Sequence, residues 1–176
     1  SMGIAAAYFR AKQGACVLVL DKYEIPNQMG SHHGMTRMLR LSYGHGSSYV
    51  PLAMESLKLW GELETAVGRE LYRKTGAITI GYPDSKFVEV AIESAISNNI
   101  PYKVMTAGEL TDKWRGLNIP DDYIGCFDPS AGFLFSEDCL TAYKDEALKY
   151  GAEIHENEAF VSVEQEENFI TVKTDK

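Results

Sequence analysis

Four side chains able to do chemistry crowd into one short segment of the chain. Residues 30–40 read Gly-Ser-His-His-Gly-Met-Thr-Arg-Met-Leu-Arg, with two adjacent histidines and two arginines three positions apart. The pattern predicts a loop from Gly30 to Gly46 with a short helix from Thr36, on which Arg37 and Arg40 would share a face. Two guanidiniums on one face suit an anion such as a carboxylate or a pyrophosphate. The segment therefore predicts an anion site, against the alternative of two ordinary surface arginines.

The neighbouring His32 and His33 do not predict a metal centre. Adjacent side chains point in different directions on most backbones. No third His, Cys or Asp stands at a spacing that would complete a ligand set. We therefore predict no bound metal.

A second candidate site lies at the start of the chain, which has the order of the second half of a βαβ unit. An alanine-rich helix from Gly3 to Gln13 precedes the apolar run 15–20, which fits a strand buried on both faces of a parallel sheet. Asp21 and Lys22 follow it, where an acidic residue accepts hydrogen bonds from ribose hydroxyls in dinucleotide-binding folds. The preceding strand and first glycines of that fingerprint are absent, so a solvated surface Asp21 stays an alternative.

Composition and charge exclude several classes of protein. The net charge is −8 at pH 7 and the 17 Lys and Arg residues are scattered, which argues against a nucleic-acid partner. No apolar stretch approaches the roughly 20 residues needed to cross a bilayer. The cysteines Cys16, Cys126 and Cys139 are far apart in apolar surroundings, and they predict buried free thiols in a cytoplasmic protein.

The remaining pattern is mixed α/β. Ser47 or Ser48 is predicted to cap a long helix whose apolar residues recur every three or four positions through 50–67. Thr106 and Glu109 form a capping box, and Ser136 is predicted to cap a later helix. The other predicted elements are a helix at 85–96, strands at 75–81 and 102–105, two strands within 123–135, and a final meander at 153–155, 160–164 and 169–174.

Several of these segments together resemble the family of monomeric sarcosine oxidase and N-methyltryptophan oxidase. The likeness is carried by the opening Ser-Met-Gly-Ile-Ala-Ala-Ala-Tyr, by Leu-Val-Leu-Asp at 18–21, and by Gly-Ser-His-His-Gly-x-Thr-Arg-x-x-Arg. It continues in order along the chain at 42–44, 49–52, 59–60, 75–76, 123–124, 130–134 and 136–137. The Ser-His-His-Gly block is its most specific part.

The resemblance implies a two-domain flavoenzyme of which this chain is about the N-terminal half. The implied fold class is α/β. It combines a three-layer, Rossmann-like FAD-binding domain, without its first strand and glycine loop, and part of an α+β substrate domain with a mixed or antiparallel sheet. The predicted domains are residues 1–70 for FAD binding, 71–135 for substrate binding, and 136–176 for a return to the FAD-binding domain.

The resemblance also implies a chemistry for the site residues. Family members pass a hydride equivalent from a small N-methylated amino acid to FAD, and O2 is reduced to H2O2. The imine product hydrolyses to formaldehyde and the amino acid. Arg40 falls on the position that pairs with the substrate carboxylate, and Arg37 and His33 lie near the flavin ring. The implied cofactor-binding residues are Gly3, Asp21, Lys22, Ser31, Thr36 and Arg37.

Some family features are changed or lie elsewhere. Met35 stands where an Asp is usual, Leu41 where a His is usual and His45 where a Glu is usual, which leaves the exact substrate open. The cysteine that attaches the flavin covalently is implied beyond Lys176, and none of the three cysteines present matches it. The full-length enzyme is implied to be a monomer.

Three alternatives stay open at this point. A related FAD-dependent amino-acid oxidase or dehydrogenase, of glycine or D-amino-acid type, would share the fold and the carboxylate clamp. A nicotinamide-dependent dehydrogenase would share the first helix and strand, although the Ser-His-His-Gly block favours FAD. A truncated fragment without activity of its own is the third.

Overall fold

The computed structural model describes residues 1–43, 47–167 and 169–176. The helices are α1 (Met2–Lys12), α2 (Val50–Val67), α3 (Lys86–Ser97), α4 (Ala107–Lys113) and α5 (Ser136–Lys149), with a 3₁₀ turn at Ser47–Tyr49. The first five strands are β1 (Leu18–Asp21), β2 (Thr36–Leu39), β3 (Tyr72–Arg73), β4 (Ala77–Gly81) and β5 (Lys103–Thr106). The others are β6 (Ile124–Asp128), β7 (Gly132–Phe135), β8 (Glu153–Glu156), β9 (Phe160–Gln165) and β10 (Ile170–Thr174). The predicted α/β class is confirmed.

The chain divides into two compact units. Unit 1 comprises Ser1–Arg37 and Phe135–Lys176, and unit 2 comprises Met38–Leu134. The boundary predicted at residue 70 differs from this division, because α2 packs within unit 2, where Val50 shares a buried cluster with Leu39 and Ile100. The boundary predicted after residue 135 falls next to the observed one.

Unit 1 joins the two ends of the chain in one parallel strand pair. β1 runs parallel to β8, with Asp21 opposite Glu156. The alanine-rich α1 packs on α5, with 5.4 Å between the ring centroids of Tyr8 and Tyr143. β9 and β10 form a separate antiparallel hairpin, so β8 does not belong to the meander that the sequence predicted.

Unit 2 contains antiparallel strands and the long helix α2. One sheet has the order β4-β6-β5, and the other has the order β2-β7-β3. A Cβ on Gly132 would overlap the carbonyl of Arg73, so only glycine allows β7 to lie this close to β3. The predicted apolar face of α2 is confirmed, because Ala53, Leu57 and Trp60 pack on a buried cluster. The cluster consists of Leu39, Leu41, Val50, Ala95 and Ile100.

Two predictions in the first third of the chain are wrong. Thr36–Leu39 is a strand and not a helix, because it joins a sheet with β7, a partner far along the chain. β1 begins only at Leu18, whose side chain is 54% exposed, so this strand is not buried on both faces. Within the described residues β1 has a single strand neighbour, β8, which leaves part of its surface open.

The helix caps agree with prediction in one case and differ in two. The Thr106–Glu109 capping box has both of its hydrogen bonds. The N-cap of α2 is Tyr49, because residues 47–49 form a 3₁₀ turn that precedes the helix. Ser136 is the first residue of α5 instead of its cap, and its buried Oγ has no partner among the described residues.

The cysteines differ in exposure. None of the three forms a disulfide, and Cys126 and Cys139 are buried as predicted, but the prediction of burial is wrong for Cys16, which is exposed. Burial raises the pKa of the Cys126 thiol to about 11, so this thiol stays protonated at neutral pH. Among the described helices, none is both long and apolar enough to cross a membrane. In the same ranges, no group of three or more His, Cys, Asp or Glu residues is arranged to hold a metal ion.

Candidate active site

The loop before β2 closes around the guanidinium of Arg37. Its Nη2 donates to the carbonyl oxygen of Ser31 at 2.8 Å and also to that of His33, while Nη1 donates to the carbonyl oxygen of Thr36 at 2.8 Å. Gly34 has φ +111°, and a Cβ there would lie 3.2 Å from Nη1 of Arg37. Four of the predicted site residues, Ser31, His33, Thr36 and Arg37, are therefore brought together, with the charge of Arg37 bound to backbone carbonyls.

Arg40 has different surroundings, all of them within unit 2. Its guanidinium carbon lies 5.4 Å from the ring centroid of Tyr43 and 5.6 Å from that of Phe87, in the range of cation–π contacts. In the part of the chain that the structure describes, no carboxylate pairs with Arg40. The side chain lines a cavity of about 470 Å³. Its other lining residues are Met38, Leu39, Tyr43, Ala53, Ser56, Trp60 and Leu134.

The predicted sharing of one helix face by the two arginines is wrong. Residues three positions apart share a face on a helix, but successive side chains of a strand alternate between two faces. Arg37 lies in strand β2 and in unit 1, whereas Arg40 follows that strand in unit 2. The two guanidiniums therefore have separate sets of contacts. Gly44, His45 and Gly46, which complete the predicted loop, lie outside the described residues.

Gly3 and Asp21, both predicted on the cofactor side, line one cavity in unit 1. The cavity of about 90 Å³ is bordered by the first turn of α1 and by the carboxyl end of β1. The position of a Cβ on Gly3 is open, and Ser1 makes no side-chain hydrogen bond to the helix. One carboxylate oxygen of Asp21 accepts a hydrogen bond from the Tyr23 N–H at 2.9 Å. The first turn of a helix beside a carboxylate can bind a phosphate and a hydroxyl together.

His32 adds a third polar group to this cavity. Its Nε2 is buried and has no hydrogen-bond partner within the described ranges. Burial lowers the pKa of the imidazole, which favours the neutral ring. A Cβ on Gly30 would overlap this ring. Lys22, also predicted on the cofactor side, is exposed, with its ammonium nitrogen 5.7 Å from the Tyr23 ring centroid.

The sequence interpretation missed an ion pair that fixes the loop after β1. Lys144 Nζ lies 2.7 Å from both carboxylate oxygens of Glu156, and each side chain is about one quarter exposed. Glu156 also accepts from the Ile25 N–H at 2.6 Å, and Lys144 donates to the Ile25 carbonyl at 3.3 Å. The Lys144 hydrogen bond is the main cause that lowers the pKa of Glu156. Ile25, a lining residue of the smaller cavity, is thereby held by two other elements.

A second group missed by sequence reasoning is Asp128, at the end of β6. Its side chain is completely buried. One carboxylate oxygen accepts from the N–H groups of Leu41 and Ser42, both at 3.0 Å. The other accepts from the Ser130 N–H at 2.9 Å and from the Ser130 hydroxyl. In sequence, Asp-Pro-Ser at 128–130 is a turn signal, which does not distinguish a buried carboxylate from a solvated one.

Comparison with known sequences places the whole chain in one family. Residues 1–176 match the family described as FAD dependent oxidoreductase. The chain is 38% identical over 177 aligned positions to monomeric sarcosine oxidase of Bacillus sp. (strain NS-129), covering 100% of this chain and 46% of that protein. It is 37% identical over 137 positions to N-methyl-L-tryptophan oxidase of Yersinia pestis (strain Pestoides F), covering 78% of this chain and 37% of that protein. The chain therefore spans less than half the length of these curated relatives.

Solved structures of similar fold support the same grouping. The amino acid oxidase NikD of nikkomycin biosynthesis superposes with a TM-score of 0.86 at 25% identity, covering 98% of this chain and 44% of that one. L-proline dehydrogenase from P. horikoshii superposes with a TM-score of 0.83 at 25% identity, covering 98% and 46%. The predicted fold class, a partial Rossmann-like FAD-binding domain with part of an α+β domain, is confirmed. From its first residue to its last, this chain belongs to the family of FAD-dependent oxidoreductases.

Proposed function

We propose that this chain, together with the remaining half of the length seen in its relatives, forms an FAD-dependent amine oxidase. That protein is called the full-length enzyme below. Its proposed reaction converts the C–N bond of a small N-methylated amino acid to an imine and reduces O2 to H2O2. The names of the similar curated proteins, sarcosine oxidase and N-methyl-L-tryptophan oxidase, support this substrate class.

The observation that carries the proposal is the guanidinium of Arg40, which has no carboxylate partner among the described residues and lines a cavity together with Tyr43 and Trp60. A half-buried cation is stabilised when an anion approaches it, because the protein around it solvates charge less well than water does. Tyr43 and Phe87 flank the group without neutralising it. A carboxylate bound there would have its amine end held at a defined distance, and such fixed orientation is a large part of catalysis in enzymes of this kind.

The residues of unit 1 suit the adenosine and pyrophosphate part of FAD. Asp21 would accept hydrogen bonds from ribose hydroxyls, and Gly3, with open space at its Cβ position, would allow the pyrophosphate to approach the start of α1. The unpartnered Nε2 of His32 adds a polar group in the same cavity. Bound FAD supplies the acceptor for a hydride equivalent from the carbon next to the amine nitrogen. Ser31, Thr36 and Arg37 are proposed on the flavin side.

The finer parts of the proposal follow from the resemblance. His33 and Arg37 lie near the flavin ring, and the positive charge of Arg37 favours the anionic reduced flavin. Lys22 lies beside the ribose-binding Asp21. A cysteine outside this chain attaches the flavin covalently. The full-length enzyme is a cytoplasmic monomer, in which unit 1 serves FAD binding and unit 2, which contains Arg40, serves substrate binding.

The direct test is a visible spectrum and a product analysis of the full-length enzyme. The proposal predicts flavin absorbance bands that stay with the polypeptide after denaturation, and O2-dependent release of formaldehyde and H2O2 from N-methyl amino acids. Release of ammonia from glycine or a D-amino acid would support the related amino-acid oxidase instead. Turnover with a dye but not with O2 would indicate a dehydrogenase. Absence of flavin and of all amine oxidation would refute the proposal.

A further inference from the structure

We propose that Asp128 is the residue that positions Arg40 for carboxylate binding. It acts by fixing the backbone directly after the arginine and does not itself touch the substrate. This inference rests on the proposed function, because it gives Arg40 the role of carboxylate receptor. The contacts that carry it all lie within unit 2 and among described residues.

The bonds of Asp128 reach the two residues that follow Arg40. The Leu41 and Ser42 N–H groups both donate to the same carboxylate oxygen at 3.0 Å. Leu41 and Ser42 are themselves buried, at 6% and 2% exposure. Bonds to an ionised acceptor are about twice as strong as neutral ones. The backbone at the base of Arg40 is therefore fixed by the carboxyl group of Asp128.

The same segment also carries the aromatic partner of Arg40. Tyr43 follows Ser42, and its N–H donates to the buried Ser94 Oγ at 3.4 Å. The Tyr43 ring lies against the Arg40 guanidinium. Fixing residues 41–43 therefore fixes both the origin of the Arg40 side chain and one of the aromatic surfaces on which its charged end lies.

The other side of Asp128 is equally constrained. Its second oxygen accepts from the N–H and hydroxyl of Ser130, whose carbonyl accepts from the Tyr72 hydroxyl at 2.7 Å. In the β4–β6 pair, Asp128 stands opposite Ala77. The carboxylate is thus attached to the end of a three-stranded sheet, and a rigid attachment is what a positioning residue requires.

The donors around Asp128 require an acceptor on both of its oxygens. The described residues offer Asp128 no cationic partner, and all four of its contacts are neutral N–H or O–H donors. Burying a carboxylate without a counter-ion is costly unless its hydrogen bonds are complete. An asparagine has the same shape but only one acceptor oxygen. Its NH2 group would face the N–H or O–H donors that contact the second oxygen of Asp128.

The test compares Asp128→Asn with a matched control, Glu64→Gln, in the full-length enzyme. Glu64 also accepts two consecutive backbone N–H groups, from Leu71 at 2.7 Å and Tyr72 at 3.0 Å, and it lies in the same unit. The readout is the ratio of kcat/KM for an N-methyl amino acid to kcat/KM for the matching decarboxylated amine. Loss of stability alone lowers both values together and leaves the ratio unchanged.

We expect Asp128→Asn to lower this ratio about tenfold through KM of the amino acid, because a misplaced receptor loses orientation. Glu64→Gln should keep the ratio within about twofold. In an Arg40→Met background, Asp128→Asn should add less than about twofold, because residues that act through one another are not additive. An unchanged ratio in Asp128→Asn, or a full additional loss in the Arg40→Met background, would overturn the inference.

A measurement without substitutions keeps the inference testable if Asp128→Asn does not fold. Hydrogen exchange of the Leu41 and Ser42 amides in the unmodified enzyme should be as slow as exchange in the β4–β6 pair. Rapid exchange at both amides would overturn the inference. An unmodified enzyme that oxidises the amino acid no better than the amine would instead refute the proposed function, before any Asp128 variant is made.

Discussion

Two arginines only three positions apart have different hydrogen-bond surroundings. The guanidinium of Arg37 donates to carbonyl oxygens of its own loop, and elsewhere in unit 1 Lys144 is paired with Glu156. The guanidinium of Arg40 lies on aromatic rings, and Asp128, which anchors its backbone, likewise has no ion-pair partner in the ranges described. Donor groups that are satisfied within the protein hold a structure together, whereas a guanidinium without an oxygen partner among the described residues is available to an anionic ligand. That difference assigns separate roles to two residues that the sequence had paired.

The largest expected effect comes from removing the charge of Arg40. Arg40→Met keeps the length and apolar part of the side chain but removes the charge, so kcat/KM for an N-methyl amino acid should fall roughly 100- to 1,000-fold. Oxidation of the matching uncharged amine should stay within about threefold. Arg40→Lys should give an intermediate loss, because an ammonium lacks the bidentate geometry. Steady-state kinetics on both substrates tests this, and equal losses on the two would refute the role.

Removing one partner of the compensated pair in unit 1 should affect stability and not specificity. Lys144→Met leaves Glu156 partly buried without its cation, at a cost of about 2 kcal/mol after allowance for its exposure. Hydrogen bonding to Lys144 lowers the pKa of Glu156 in the folded state, so this stabilisation is present above pH about 4.3. It is lost as the pH falls through the lowered pKa.

Urea unfolding of the unmodified enzyme and Lys144→Met at pH 7 and at about pH 3 measures the effect. The difference in free energy of unfolding should be large at pH 7 and small at the lower pH. A difference that does not depend on pH would mean that the ion pair is not the cause.

Arg37→Met should have a smaller effect on stability, about 1 kcal/mol, because its hydrogen bonds are exposed to solvent. The variant should leave the preference for carboxylate substrates unchanged within about twofold. Thermal unfolding and the substrate ratio together test this expectation. A loss of carboxylate preference as large as that of Arg40→Met would remove the distinction between the two arginines.

The smallest effect is expected at His155, another compensated charge of unit 1. Hydrogen bonding to Glu153 at 2.7 Å is the main cause that raises the pKa of His155. Its contribution to stability is complete below pH about 6.5 and is lost as the pH rises through the raised pKa. An NMR titration should give a pKa above 6.5 that falls in Glu153→Gln. An unchanged pKa in the variant would show that Glu153 is not the cause.

Elements with a strong local pattern could be predicted from the sequence. The apolar face of α2 and the Thr106–Glu109 capping box depend on neighbours within one or two turns, and both were correct. The cavity that brings Gly3 to Asp21 follows from the order of helix, strand and acidic residue. The roles proposed for Arg37 and Arg40 came from the resemblance to a family and not from the spacing of the two arginines.

The errors concern contacts with residues distant in sequence. Thr36–Leu39 contains residues that suit a helix or a strand, and its sheet partner β7 decides between them. The burial of Asp128 depends on residues 41 and 42 reaching the end of β6, which no local pattern encodes. Serine is a residue type that commonly caps helices, but Ser136 is the first residue of α5, and Phe135 is its N-cap.

A structure of the full-length enzyme with a bound unreactive carboxylate tests the central claim most directly. The account predicts carboxylate oxygens about 2.8 Å from the Arg40 guanidinium. Arg37 should keep its hydrogen bonds to the carbonyls of Ser31 and Thr36. A carboxylate bound to Arg37, or an Arg40 already paired with an acidic residue of the protein, would contradict it.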